Sequence, residues 1–233
     1  MTIVLLDAMG TLLELEQPAP RLVAGLRSCG VAVSEAQAAT ALGAEIAFYR
    51  AHHDSACDAP SLALLREHCS AVLREALTRA GADVQALSPA ALRDVLLAAL
   101  RFRAYPEVPG ALRELRARGH RLVVVSNWDV SLHDALRDSG LAALVDGAIS
   151  SAEAGAAKPD PRIFARALAL AGGDAEAGAG GALHVGDSPA HDVAGARAAG
   201  LRPVLVVRAG RRPAVLDGVA VVGSLAEVPA LAA

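Results

Sequence analysis

A short apolar run, Ile3-Val4-Leu5-Leu6, closes on Asp7 and breaks at once into Met9-Gly10-Thr11. Its brevity, its Ile, Val and Leu content and the glycine turn behind it read as a buried strand of a parallel sheet. A parallel strand needs partners, yet none follows for a long stretch. From Arg21 to Phe102 apolar residues recur at three- and four-residue spacing, over Ser34 to His53, Ser61 to Ala80 and Pro89 to Phe102. Ser34, Ser61 and Ser88 are the N-cap candidates, and no strand signal interrupts the pattern. From Ala111 the rhythm becomes helix then strand, which builds a parallel sheet through crossover helices. The chain therefore predicts an α/β fold in which an all-helical insertion interrupts the core just after its first strand.

On this reading the insertion takes residues 16–103 and leaves a core of residues 1–15 and 104–233. Core strands are expected at Arg121 to Val125, Gly147 to Ser150, Ala182 to Val185, Pro203 to Val207 and Val219 to Val222. Helices are expected through Arg118, from Ser131 to Ser139, from Pro159-Asp160-Pro161 to Leu170, and after Asp187 through Ala199. Glu14 to Pro20 reads as a polar, proline-bearing exit, Tyr105 to Gly110 as punctuation, and Asp174 to Gly181 as a loop. A helical module beside the carboxyl edge of the sheet is a natural lid, with Pro18-Ala19-Pro20 and Tyr105-Pro106 as its hinges.

Composition narrows the classes of partner. The chain has 233 residues, 54% of them hydrophobic, which is ample for a core with an insert. A net charge of -3 supplies no basic field for nucleic acid or an anionic membrane, and Arg208, Arg211 and Arg212 read as a solvated turn. Only 3% of residues are aromatic, which argues against base stacking. Charges interrupt each long apolar run before it could span a bilayer, and the first residues lack the basic start of a signal peptide. Cys29, Cys57 and Cys69 are odd in number and without metal-type spacing, which suits a reducing compartment, so the expected location is the cytoplasm. Nothing in the periodicity sets an oligomeric state.

Asp7, Ser126, Lys158 and Asp187 all fall at predicted strand ends or helix starts on one edge of the sheet, where α/β proteins bind ligands. Asp7 is a candidate nucleophile, and Lys158 a cation able to neutralise it and an anionic substrate. Ser126 can hold phosphoryl oxygens, and Asp187 can complete an oxygen-rich Mg²⁺ site. The same residues carry a resemblance. Asp7-Ala8-Met9-Gly10-Thr11, Val124-Val125-Ser126-Asn127, Lys158-Pro159-Asp160 and His184-Val185-Gly186-Asp187-Ser188, followed by Asp192 and Gly195-Ala196, resemble the four ordered motifs of the haloacid dehalogenase superfamily. Order and spacing are similar to its subfamily IA, which carries a helical cap after the first motif.

The resemblance implies a Rossmann-like core in which Asp7 attacks phosphorus and forms an aspartyl-phosphate that water then hydrolyses. It implies Mg²⁺ held by the side chains of Asp7 and Asp187 and the backbone carbonyl of Met9, with Asp192 as a ligand or a support beside it. Ser126 and Lys158 would hold Asp7 and the transferring group, and Gly10, Thr11 and Asn127 would contact a small phosphorylated substrate. One position departs from the pattern: most phosphatases of the family carry a second aspartate as general acid and base where this chain has Met9. Methionine keeps a carbonyl for the metal but protonates no leaving group. A 2-haloacid dehalogenase, whose branch also lacks that aspartate but has an aromatic residue there, is the alternative reaction; a phosphate-binding module with weak catalysis is the other alternative. Of the histidines, His52 and His53 read as exposed at a helix end, His184 as a partnered interior residue, and His191 as facing solvent.

Overall fold

The structure, a computed structural model, describes residues 2–172, 181–208 and 217–232. Contacts divide the chain into one unit of Met1–Glu14 with Arg103–Ala233 and a second of Leu15–Phe102. In the first unit β1 (Ile3–Leu6) is joined by β4 (Arg121–Ser126), β5 (Gly147–Ser150), β6 (Leu183–Gly186), β7 (Arg202–Val206) and β8 (Ala220–Val222). Among the described residues these six form one sheet in the order β5-β4-β1-β6-β7-β8, parallel at every pairing. The architecture is the expected α/β, Rossmann-like one.

The central strands are apolar along their length because both sheet faces are covered. Val4, Leu5 and Leu6 of β1 and Leu122 to Val125 of β4 are fully buried. On one face Leu5, Val123 and Val125 pack with Ile163, Phe164 and Ala167, the inward stripe of helix α8 (Pro161–Leu170). Register then places the chemistry: Leu6 pairs with Val124 on one side and Val185 on the other, so Asp7, Ser126 and Asp187 leave the sheet at one edge.

The second unit is built from α1 (Pro18–Ser28), α2 (Glu35–His52), α3 (Ala59–Arg79) and α4 (Pro89–Ala99), around a core that includes Leu22, Leu26, Leu73, Leu77, Leu92 and Leu96. Ser34 and Ser88 cap α2 and α4 as expected. α3 instead begins from Asp58, whose carboxylate accepts the Ser61 N–H at 2.9 Å while Ser61 bonds back to the Asp58 N–H. Ser61 thus completes a capping box from the third helical position, and Pro60 sits in the first turn, where no N–H is needed. The Glu14 to Pro20 exit also proves structured: Leu13–Leu15 is strand β2, paired with β3 (Phe102–Ala104), and Pro18 opens α1 for the same reason as Pro60. Phe102 accordingly belongs to a strand and not to the preceding helix.

In the first unit Val108 to Gly110, read as punctuation, forms the first turn of α5 (Val108–Ala117). The helix expected after Asp187 opens as a π-helical turn, Pro189–Val193, before α9 (Ala194–Ala198). Of the Asp174 to Gly181 loop, all but Gly181 lies outside the described residues. No described helix is long and apolar enough to cross a membrane.

Candidate active site

The carboxyl ends of β1, β4 and β6 deliver a buried charge cluster. Asp7 follows β1, its own N–H donating to Val185 O at 2.9 Å. Its Oδ1 accepts from Ser126 Oγ at 2.9 Å and from Lys158 Nζ at 2.6 Å. The same ammonium donates to Asp192 Oδ1 at 2.6 Å. His184 Nε2 lies 2.9 Å from that oxygen, and the Ser188 N–H lies 2.9 Å from Asp192 Oδ2. An ionised carboxylate only accepts, so His184 carries its proton on Nε2. Its Nδ1 is buried without a hydrogen-bond partner among the described residues, and its ring meets the edge of Phe164.

Electrostatics sort the three carboxylates. Burial pushes the Asp7 carboxyl above its ordinary range against the pull of Lys158, with the charges of Asp192 and Asp187 adding to the rise. Asp187 is also raised, first by loss of water around its carboxylate and then by Asp192. Asp192 is buried too, yet Lys158 and His184 outweigh desolvation and hold its carboxyl well below the usual carboxylate range. Burial opposes the Lys158 ammonium, but Asp7 and Asp192 outweigh it and keep the group charged. The result is a fixed cation bridging two carboxylates, with excess negative charge toward Asp187.

Oxygens of Asp7, Asp187 and Asp192 lie within 4.8 Å of one another. The donor set is all carboxylate, and its mutual repulsion is what a hard divalent cation relieves, so these residues fit Mg²⁺. Asp192 has both oxygens engaged by Lys158, His184 and Ser188, which suits it to support the site more than to fill a cation's shell. Two glycines make the approach possible. A Cβ on Gly186 would stand 2.1 Å from Asp192 Cγ, and one on Gly10, at φ 79°, would stand 2.1 Å from Asp187 Oδ2.

The remaining expected site residues divide. Asn127 turns its amide onto the Lys158 backbone, donating to Lys158 O at 3.0 Å and accepting from Lys158 N at 2.7 Å. It positions the lysine with both ends of its side chain. Thr11 is fully buried, and its Oγ1 has no hydrogen-bond partner among the described residues. Met9 is partly buried and bridges to Leu13. His52 is exposed and stacks on Phe48, and His191 is exposed beside Ser188. His53, expected at solvent, is buried, because the chain turns there into His53–Ser55 and brings its ring within 5.5 Å of that of Tyr49.

Arg208 is the residue that sequence reasoning misplaced. Arg211 and Arg212 lie outside the described residues, but Arg208 is half-buried and donates to Gly10 O, Thr11 O and Glu107, with its guanidinium over the Tyr105 ring. Its partners are mostly backbone carbonyls almost two hundred positions away, and no local pattern announces such a contact.

Comparison with known proteins matches residues 1–200 to the family model of haloacid dehalogenase-like hydrolases. The haloacid dehalogenase-like hydrolase domain-containing protein 3 of Mus musculus is 33% identical over 225 residues, covering 91% of this chain and 85% of that protein. Its namesake in Bos taurus is 47% identical over 111 residues, and there the match spans 46% of this chain and only 42% of the relative. A phosphoserine phosphatase from Thermus thermophilus is 40% identical over 147 residues, 61% of this chain and 55% of the enzyme. Among solved structures, a phosphatase of the same superfamily from Thermococcus onnurineus matches at TM-score 0.67 and 24% identity, over 99% of this chain and 97% of that one. A 2-haloacid dehalogenase from Pseudomonas syringae matches at TM-score 0.65 and 22% identity, again over 99% and 97%. These two fit almost equally, so the fold alone does not choose the reaction.

Proposed function

The chain belongs to the haloacid dehalogenase-like hydrolases, and from that premise we propose a Mg²⁺-dependent phosphatase acting on a small phosphorylated metabolite. The observation that carries the reading is the placement of Asp7: its Oδ1 is held by Ser126 and Lys158, and oxygens of Asp7, Asp187 and Asp192 lie within 4.8 Å of one another. Displacement of halide from carbon has no use for an unbraced second carboxylate such as Asp187 beside the nucleophile, whereas a cation shared with a phosphoryl group does.

Asp7 and Asp187 would hold Mg²⁺, which when bound neutralises charge on the phosphoryl oxygens and on the carboxylates themselves. The residues of the chain do the rest. Ser126 and Lys158 both meet Oδ1 of Asp7, which fixes the carboxylate and leaves Oδ2 for bond formation. Attack by Oδ2 forms an O–P bond as the bond from phosphorus to the leaving oxygen breaks. Water then attacks the aspartyl-phosphate, releases inorganic phosphate and restores the carboxylate. Lys158 offsets the charge that builds on the transferring group, held in line by Asp192 and Asn127, so catalysis is chiefly positioning and electrostatics. With Met9 in place of an acid, the departing alkoxide draws its proton from solvent, and substrates with good leaving groups are favoured. We place the reaction in a reducing, cytoplasmic setting on the strength of three cysteines, none of them in a disulfide, without nucleic-acid or membrane partners.

The test is hydrolysis of an aryl phosphate with Mg²⁺ or with chelator, comparing wild type with Asp7→Asn. Activity that requires both the cation and Asp7 is expected. Silence toward phosphate esters, with halide released from a 2-haloacid, would put the dehalogenase reaction in its place; silence toward both, with phosphate still bound, would leave a binding module.

A further inference from the structure

The guanidinium of Arg208 donates from Nε to Gly10 O at 3.0 Å, from Nη2 to Thr11 O and from Nη1 to Glu107 Oε1, and its Cζ stands 3.5 Å from the centroid of the Tyr105 ring. Each of its nitrogens and one π face are engaged, and the side chain is 15% exposed. Such a group is occupied by the protein and does not reach for a substrate anion. What it holds is the turn directly after Asp7. Within that turn the Ala8 carbonyl gathers the N–H groups of Thr11, Leu12 and Leu13, and Gly10 N–H donates to Leu13 O. The carbonyls of Gly10 and Thr11 face outward, to Arg208.

Gly10 is also where the turn meets Asp187. The place of a Cβ on Gly10 lies 2.1 Å from Asp187 Oδ2, so the carboxylate rests directly on the Gly10 backbone. Asp187 is the exposed member of the acidic trio, and it lacks the bracing that Ser126, Lys158 and His184 give the other two. Its distance from Asp7 is therefore set in large part by where Gly10 stands.

We propose that Arg208 is a positioning residue for the cation site: by pinning Gly10 and Thr11 to Glu107 and Tyr105, it holds the Asp7 turn and Asp187 at the spacing a divalent cation requires. The role rests on the Mg²⁺ reading above. It depends on a planar fork that reaches two carbonyls and a carboxylate at once; a lysine keeps the charge but not the fork.

The experiment measures Mg²⁺ binding by titration calorimetry, without substrate, to the full chain as wild type, Arg208→Lys and Arg208→Met. The Mg²⁺ dependence of aryl phosphate hydrolysis is measured in parallel. Contacts that orient metal ligands are worth about 10–100-fold in affinity, and a loss in that range is expected for Arg208→Met, with Arg208→Lys intermediate. At saturating Mg²⁺ kcat should return most of the way to wild type. A merely structural role would lower the melting temperature and leave the affinity of the folded protein unchanged. Wild-type Mg²⁺ affinity in folded Arg208→Met overturns the proposal; if that variant does not fold, the same result in Arg208→Lys overturns it. Wild-type protein that binds no Mg²⁺ overturns the cation reading and this role together, whereas binding that is equal in all three proteins overturns this role alone.

Discussion

Replacing Lys158 with Met isolates the electrostatics of the buried cluster. The ammonium lies 2.6 Å from Asp7 and 2.6 Å from Asp192, and its side chain is 2% exposed. Methionine keeps most of the apolar stem, so the packing loss is small and the charge is what disappears. Breaking a buried ion pair from one side costs about 3–5 kcal/mol, because the surviving charge stays desolvated. Here two carboxylates survive, which argues for the upper half of that range. At roughly 2–4 °C per kcal/mol for a chain of this size, a loss of about 4–5 kcal/mol lowers the melting temperature by roughly 8–20 °C. The pH dependence has a definite sign. In the wild type the Asp192 carboxyl lies below its ordinary range, so its contribution is complete above the unfolded value of about 4 and is lost as pH falls further, through the folded one. In the variant the stranded carboxylates take up protons more readily folded than unfolded, and acid relieves them. The deficit relative to wild type is therefore largest at neutral pH and narrows as pH falls toward 4. Thermal melts followed by circular dichroism between pH 4 and 8, without divalent cations, measure it. A deficit under about 1 kcal/mol at neutral pH, the value of an exposed pair, or one that does not shrink in acid would refute the reasoning.

Other substitutions probe neighbouring contacts. Gly186→Ala places a methyl 2.1 Å from Asp192 Cγ; it should cost about 1–3 kcal/mol by denaturant titration and reduce turnover by displacing Asp192 from Lys158, and unaltered stability would contradict that. Asn127→Ala strips both partners from the Lys158 backbone; a loss of roughly 1–3 kcal/mol and a lower kcat at constant KM are expected, whereas a change confined to KM would mark Asn127 as a substrate contact. Met9→Asp should raise turnover of alkyl phosphates by at least about tenfold while changing aryl phosphates little, since a positioned acid is worth roughly 10²–10⁴. Equal effects on both substrates would show that protonation of the leaving group is not what limits the enzyme.

The strands that carry the site were legible because each is a short apolar run ending abruptly in a polar residue. Asp7, Ser126 and Asp187 follow from that punctuation alone, and the helix–strand rhythm after Ala111 gave the sheet class. Helix starts were less legible where two residues share a cap: Asp58 and Ser61 both bond in the box, and the backbone decides which of them lies outside the helix. Leu13–Leu15 and Phe102–Ala104 escaped because three-residue strands show no period, and each is recognisable only by its partner. Arg208 escaped for a related reason, since carbonyl acceptors are present at every position and carry no sequence signal. The division of labour within the acidic trio was equally hidden, because it depends on which carboxylate Lys158 and His184 reach.

The position of β1 has a consequence for synthesis. Its register pairs Ile3 with Arg121 and Val4 with Leu183, so β1 is made well before either of the strands that flank it in the sheet and must wait for both. During translation the whole of Leu15–Phe102 leaves the ribosome before either neighbour exists. An apolar segment thus stays unpaired until Arg121–Ser126 is made, and unpaired apolar strands of this kind are the aggregation-prone parts of a folding chain. Every contact that closes the sheet around Asp7 spans a long loop of chain, which makes the core slow to nucleate. A nascent chain halted before β6 would hold Asp7 and lack Asp187 and Asp192, which stand beside it in the finished fold.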